Sequence, residues 1–374
     1  METSNKIKER YSRQLALKEL GEAGQQKLLQ ARVLVIGAGG LGCGALPYLA
    51  AAGIGFIGII DDDTVALNNL HRQTLYAVKD IGQSKAVRAA GFLRQLNPEI
   101  DIIALNERLT ASNALALIQL YDIVLDGSDN FSTRYMVNDA CVLLDKPLVY
   151  GAVSKFEGQV AVFNSRQADG TPSVNYRDIF PQPPVEGEIA NCAETGVLGV
   201  LPGIIGSMQA NETIKLITGM GKPLVNRLLT FNALNNQVFE LQLTALEGSR
   251  NLIPADAAAF EQTNYQLLCG SDFYAAEIDI ASFNSLRMAA NVLVADVREL
   301  HEQPVINEFE HIHVPLGSIP EQWPETAFDT IIVFCQSGKR SRQAAALLEA
   351  RFGTTKKIFS LAGGILQWKQ QKPV

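Results

Sequence analysis

The stretch "VLVIGAGGLGCGALPYLAAAGIGFIGIIDDDTV", Val33 to Val65, restricts the possible folds more than any other part of this chain. It reads as a buried strand, a turn on Gly37, Gly39, Gly40 and Gly42, a helix, and a second strand closed by Asp61. Glycines let a backbone approach phosphates, the start of a helix offers unpaired N–H groups to an anion, and an acid after the next strand can hold ribose hydroxyls. Asp61 follows Gly40 by 21 residues, the spacing this arrangement needs. All the parts fall in order, so the sequence predicts nucleotide binding on an α/β domain. The glycines alone would favour a dinucleotide, and with it an NAD-dependent oxidoreductase.

The rest of the chain fits a sheet built around that unit. Apolar runs at 32–37, 55–61, 100–105, 122–127 and 147–151 read as strands buried on both faces, with helical spacing between them, as in 84–96. This alternation implies a largely parallel sheet with helices on both sides. Runs at 158–164, 226–234 and 237–244 alternate more like antiparallel strands, so the sheet is expected to be mixed. Between them, 165–191 reads as a long loop rich in Pro, Asp and Glu. Three regions result: a Rossmann-like nucleotide-binding domain over 1–245, a linker over 246–277, and a small α/β unit over 278–374. In the last, strands are expected at 292–299, 311–317, 330–335 and 357–364, with a helix starting at Ser341.

The residues after Asp61 argue against plain nicotinamide chemistry. Asn68, Asn69, Arg72 and Lys85 fall on loops near strand ends, and Arg72 and Lys85 are strong phosphate ligands that a dehydrogenase does not need there. Asp129 and Asn130 follow another strand, on the usual rim of an open α/β site, where Asp129 can hold Mg²⁺ beside a triphosphate. The competing reading makes them solvated loop residues and a helix N-cap. Taken alone, Asp129 and Asn130 favour capping; taken with the two cations, they favour a nucleoside triphosphate site.

A net charge of −7 argues against direct nucleic-acid binding. The longest apolar tract, 197–208, is too short to span a bilayer. The N-terminal residues show no secretory signal, and five scattered cysteines without a C-x-x-C pair suit a reduced cytoplasm. Cys43 and Cys141 sit in apolar helical patterns and are expected in the core. Cys269 carries no readable role. Cys192 opens an apolar helix, where the dipole favours a thiolate, although inert packing is a serious rival. Cys335 ends a buried strand and leads the loop Cys335, Gln336, Ser337, Gly338, Lys339, Arg340, with Arg342 beyond it. Such a loop can cradle a thiolate or persulfide, a phosphatase-type loop looks similar, and packing is again possible. His71, His301, His311 and His313 have no metal-ligand spacing.

Read together, "RYSRQ", "GAGGLG", "DxDTVxxxNLxRQ", "GQSKA", "DGSDNxxTRYxVNDAC", "FEGQ" and "CAETGVLGVLPGIIGSMQA" resemble the MoeB/ThiF family of ubiquitin-activating-type adenylyltransferases. The C-terminal unit resembles a rhodanese domain through "DVRE", "HVPLGSIP", "CQSGKRS" and "LAGGxxxW". The resemblance implies an enzyme that uses ATP and Mg²⁺ to adenylate the C-terminal glycine of a small ubiquitin-like sulfur carrier ending in Gly-Gly. Sulfur would then pass from a persulfide on Cys335, loaded by a donor such as a cysteine desulfurase. By motif, Gly37, Gly39, Gly40 and Gly42 form the nucleotide loop, Asp61 binds the ribose, and Asp63 belongs to the same ATP-binding set. Asn68, Asn69, Arg72 and Lys85 meet the phosphates, and Asp129, with Asn130 beside it, takes Mg²⁺. Arg13 matches an arginine that reaches the ATP of the other subunit, which implies a homodimer. Cys192 matches a cysteine that bonds the activated carrier.

One departure stands out. Many such relatives bind structural zinc through two C-x-x-C pairs, the first just before "FPxPP". Asn175 and Asp178 stand there instead and no second pair follows, so no zinc site is expected. Two other functions remain open from sequence: the NAD-dependent oxidoreductase, and a non-catalytic scaffold of the same fold.

Overall fold

The alternation of buried strands and helices folds as two compact units, residues 1–265 and 266–374, in this computed structural model. The described residues are 7–167, 169–183, 196–268, 276–319, 323–324 and 327–370, so Cys192 and Cys269 lie outside them. In the first unit eight strands form one mixed sheet in the order β3-β2-β1-β4-β5-β6-β7-β8. The five parallel strands are β1 (Arg32–Ile36), β2 (Phe56–Ile60), β3 (Asp101–Leu105), β4 (Ile123–Asp126) and β5 (Leu148–Ser154). The antiparallel continuation is β6 (Glu157–Phe163), β7 (Arg227–Asn232) and β8 (Gln237–Gln242). Val33, Leu34, Val35 and Leu125 have no exposed surface, which is why β1 and β4 read as unbroken apolar runs. The direction of winding reverses between β1 and β4, and in open α/β sheets that point opens a crevice at the strands' carboxyl ends.

The stretch read as a linker is partly structure. Residues 246–265 pack on the first unit: Phe260 is fully buried, and the Tyr265 hydroxyl donates to Asp139 at 2.9 Å. Asp139 also accepts two hydrogen bonds from Arg177, at 2.8 and 2.7 Å, in a pair with almost no solvent exposure. Burial pushes the Asp139 carboxyl above its usual range, and the Arg177 guanidinium opposes that shift.

Asn175 and Asp178, the residues standing in place of cysteines, organise the same region. Asn175 caps the short helix Tyr176–Ile179 through Arg177 N. Its own backbone N–H and side-chain amide both donate to Asp178 Oδ2 at 2.7 Å. Asp178 Oδ1 accepts from Leu246 N at 2.9 Å and from Ser249 Oγ at 2.6 Å. One carboxylate thus clasps two segments more than sixty residues apart in sequence. Four donors turned onto one carboxylate do not fit a zinc ion, which needs lone pairs from several ligands. Asp178→Ala should lower the free energy of unfolding by roughly 2–4 kcal/mol, because four charge-assisted hydrogen bonds lose their acceptor. Urea denaturation measures this, and a loss under about 0.5 kcal/mol would remove the clasp from any account of the fold.

The second unit is a five-stranded, all-parallel sheet in the order β11-β10-β12-β13-β9. Its strands are β9 (Ala276–Ile278), β10 (Val292–Asp296), β11 (Ile312–His313), β12 (Thr330–Phe334) and β13 (Lys357–Leu361). β9 was not legible, since three residues at a sheet edge, two of them exposed, carry no periodicity. The expected strand at 311–317 shrinks to two residues, because Pro315 has no N–H for the ladder and a 3₁₀ turn, Leu316–Ser318, follows. The helix after β12 begins at Lys339 and not at Ser341, since Gly338 takes the left-handed N-cap position at φ 91°. Lys339 and Arg340 are therefore residues of the first helical turn.

Candidate active sites

The glycine turn leaves β1 at Gly37, whose φ of 91° suits glycine alone. A Cβ on Gly42 would stand 2.2 Å from the Gly37 carbonyl oxygen, so the turn closes only without side chains. Gly39 caps the helix Gly40–Ala52. Asp61, at the end of β2, ties the turn down: Oδ2 accepts from Ala38 N at 2.7 Å and Oδ1 from Asp63 N at 2.8 Å. Burial pushes the Asp61 carboxyl up despite these two hydrogen bonds. The Tyr76 hydroxyl donates to Ala38 O at 2.7 Å, a support that no motif announced. Cys43 is buried beneath the turn, and desolvation pushes its thiol up to about 12.

Arg72 and Lys85 reach this turn by different routes. The Arg72 stem lies over Gly40, whose Cβ would be 3.7 Å from Arg72 Cγ. Its guanidinium donates to Asn68 O at 3.1 Å and lies 2.8 Å from His71 Nε2, with no carboxylate beside it among the described residues. Asn69 shapes that loop, its Oδ1 accepting from Ala66 N and its amide donating to Asn68 Oδ1. Lys85 opens the helix Lys85–Leu96 with a side chain only 6% exposed, and its Nζ lies 2.8 Å from Asp63 Oδ2. Asp63 therefore holds the lysine in place.

β4 delivers the opposite wall. A Cβ on Gly37 would stand 2.9 Å from Gly127 O, so the glycine turn and the loop carrying Asp129 touch. Asp129 itself is exposed. Below it, Asp126 is fully buried and accepts from Ser128 N at 2.9 Å, while Arg134 donates to Ser128 O at 3.3 Å. Burial raises the Asp126 carboxyl, and the Arg134 charge opposes the rise. Asn130 spends its Oδ1 on Thr133 N and Ser132 Oγ, both at 2.9 Å, so the capping reading holds for that oxygen. Gly199 was missed: a Cβ there would lie 2.4 Å from His71 O, which places the chain leaving the 184–195 stretch against the Arg72 loop.

Arg13 stands apart. It lies in the helix Ser12–Leu15, two residues after Tyr11, whose ring packs on Gly53 at the far end of the helix Gly40–Ala52. That helix has 13 residues and is therefore about 20 Å long. The segment carrying Arg13 is thus anchored at the end of that helix opposite to the glycine turn.

In the second unit Cys335 follows β12 and has no exposed surface. Its carbonyl accepts from Ile365 N at 2.9 Å and that of Gln336 from Leu366 N at 3.1 Å. The Gly338 carbonyl accepts from Arg342 N at 3.3 Å and from Ser341 Oγ at 3.0 Å. Peptide C=O and N–H groups point in opposite directions, so the N–H groups of Gln336, Ser337 and Lys339 face the other side of the loop. A Cβ on Gly364, at φ 61°, would come within 2.6 Å of both Cys335 O and Gly338 N, so the next helix closes directly over the loop. The arginines around it are all paired. Arg298 bonds Asp296 at 2.6 Å, Arg342 lies 3.7 Å from Glu277, and Arg340 meets both Glu302 oxygens at 2.5 and 2.6 Å. Hydrogen bonding from Arg340 holds the Glu302 carboxyl down at about 2. The clamp is thus complete above the ordinary value of 4.5 and is lost as the pH falls through about 2. The Lys339 side chain lies outside the described residues. His313 Nε2 pairs with Arg298 O and His311 Nδ1 with Phe309 O, so neither is poised as a ligand.

Comparison with known proteins gives matches over both units. The ThiF family profile covers residues 11–251 and the rhodanese-like domain profile residues 280–371. The chain is 46% identical over 263 residues to the sulfur carrier protein adenylyltransferase of Thermus thermophilus, spanning 70% of this chain and 96% of that one. It is 39% identical over 383 residues to the probable adenylyltransferase/sulfurtransferase MoeZ of Mycobacterium tuberculosis, spanning 97% and 93%. The solved structure of Escherichia coli MccB with AMPCPP and MccA shares the fold at a TM-score of 0.55 and 20% identity, over 64% of this chain and 72% of that one.

Proposed function

The chain belongs to the ThiF family and carries a C-terminal rhodanese-like domain, and we propose that it adenylates the C-terminal glycine of a small sulfur carrier and then sulfurates it. One observation carries the first half. The glycine turn, Asp61, Arg72, Lys85 and the Asp129 loop, dispersed over about a hundred residues, meet at the carboxyl ends of β1, β2 and β4. The carrier carboxylate attacks the α-phosphate of ATP, one P–O bond forms, and pyrophosphate leaves with the electrons of the bond that breaks. Nothing on the protein is covalently changed in that step. Its residues hold three phosphates in line and offset the charge that grows on the leaving group.

Arg72, paired with no acid among the described residues, can turn onto a phosphate. Lys85, fixed by Asp63, supplies a second positive charge without searching for its position. The turn's N–H groups and the start of the helix Gly40–Ala52 take a phosphate, and Asp61 meets the ribose. Asp129, an exposed oxygen donor, fits Mg²⁺, and the ion when bound neutralises charge on the phosphates. Arg13, two residues from a tyrosine seated at the end of the helix Gly40–Ala52 opposite to the turn, serves the site of a second subunit in a homodimer. Cys192 takes the activated carrier as a thioester, releasing AMP. Cys335 receives sulfur from a persulfide donor of the cysteine-desulfurase kind. The outer sulfur attacks the thioester carbon, and Cys192 leaves as a thiolate. A reducing thiol then cleaves the resulting acyl disulfide, releasing the thiocarboxylate and forming a disulfide with Cys335.

The test is ATP–pyrophosphate exchange with carriers ending in Gly-Gly. Exchange that requires the carrier is the expected result, and its absence with every candidate carrier would refute the reading. Zinc has no place in this proposal, so a chelator should leave the unfolding curve unchanged. A chelator-induced loss matching that of Asp178→Ala would show a metal clasp instead.

A further inference from the structure

Sequence alone puts Lys339, Arg340 and Arg342 around Cys335 and suggests a loop that attracts anions. The structure alters that picture, since Arg298, Arg340 and Arg342 each face a carboxylate. Glu302 is the one that matters for the loop. It sits on the segment after β10, where its Oε1 also accepts from Glu299 N at 2.8 Å, so the side chain is fixed before it meets Arg340. Both of its oxygens then engage both terminal nitrogens of Arg340, in the first turn of the helix that follows the cysteine loop. A carboxylate and a small oxyanion would occupy the same fork of donors in the same geometry.

We infer that Glu302 sets the donor specificity of the cysteine loop by occupying Arg340, thereby excluding small dianionic sulfur donors such as thiosulfate and leaving a thiol-borne persulfide as the usable donor. The proposal rests on the sulfurtransferase reading of Cys335. With thiosulfate, the Cys335 thiolate attacks the outer sulfur, a new S–S bond forms, and the old S–S bond breaks with sulfite leaving on its electron pair. With a persulfide, R–S–S⁻, the same attack releases R–S⁻. Both steps balance without an oxidant or reductant. The difference lies in the donor: thiosulfate brings two negative charges to a fork already filled by a third, and its leaving sulfite needs a cation. A thiol leaving group of lower charge needs Arg340 less.

The test uses the full chain and Glu302→Gln, which is isosteric and keeps an acceptor for Glu299 N. Two donors are compared: thiosulfate with cyanide as acceptor, read as thiocyanate, and cysteine persulfide, read as sulfur loaded on Cys335. Glu302→Gln is expected to raise kcat/KM for thiosulfate about tenfold or more, mainly through KM, because a like charge leaves the anion's seat. Loading from cysteine persulfide should stay within about threefold, which also shows that the loop is intact. Adding Arg340→Ala to the variant should abolish the gain. The proposal is overturned if thiosulfate use is unchanged in a variant that still loads from cysteine persulfide, if the gain survives Arg340→Ala, or if the wild type already uses thiosulfate as well as the variant. If neither donor loads Cys335 in either protein, the sulfurtransferase reading falls and this inference with it.

Discussion

Alanine at Cys335 should abolish persulfide loading while leaving carrier-dependent ATP–pyrophosphate exchange within about twofold of wild type, since a nucleophile removed from one site leaves another site's chemistry intact. The substitution removes one sulfur from a fully buried position between β12 and the helix Lys339–Phe352. Such a deletion costs on the order of 1 kcal/mol in the second unit and creates no unpaired polar group. Mass spectrometry after incubation with a persulfide donor reads the first effect, and radiolabelled pyrophosphate exchange the second. Loss of exchange as well would mean that the two chemistries are not divided between the two units.

The other large effect is expected at Arg72. Arg72→Ala should lower kcat/KM for exchange by about 10²–10³-fold, the usual cost of removing one preorganised donor from a developing charge. Stability should move by less than about 0.5 kcal/mol, because among the described residues the guanidinium's partners are a backbone carbonyl and His71 and its loss strands no buried charge. Arg72→Lys should recover part of the rate, since a point charge replaces a planar fork. The combination of a collapsed rate and an unchanged unfolding curve separates a phosphate contact from a structural one. A variant retaining a third or more of its activity would mean that the phosphates lie elsewhere.

Much of the architecture was legible because the signals were local. Val33–Ile36, Ile57–Ile60 and Ile123–Leu125 are apolar runs because both their faces are covered, and the glycine turn marks its own neighbours in chain order. What escaped depends on contacts between distant segments. The clasp of Asp178 with Leu246 and Ser249 has no periodicity, and its donors are backbone and a common serine. Tyr265, which joins Asp139 across more than a hundred residues, turned part of an apparent linker into structure. β9 is too short to announce itself. The motif of the cysteine loop is local, but the carboxylate that meets Arg340 is not, because Glu302 lies 38 residues before it and nothing in the sequence pairs them.

The burial of Cys43 and Cys141 has a consequence beyond packing. Sulfane sulfur moves between thiols by exchange, and any accessible thiolate near a persulfide is a potential leak. Cys43 has its thiol pushed up to about 12, and Cys141, wholly enclosed, is pushed higher still, so both stay protonated and out of reach. Thiolate fraction governs the rate of such exchange, so under the mechanism proposed above sulfur meets no competing acceptor at either place. Holding the 175–249 region with a carboxylate also spares the protein a cluster of thiolates that persulfide could modify. In a chain that handles reactive sulfur, keeping its structural parts chemically silent preserves the yield of each transfer.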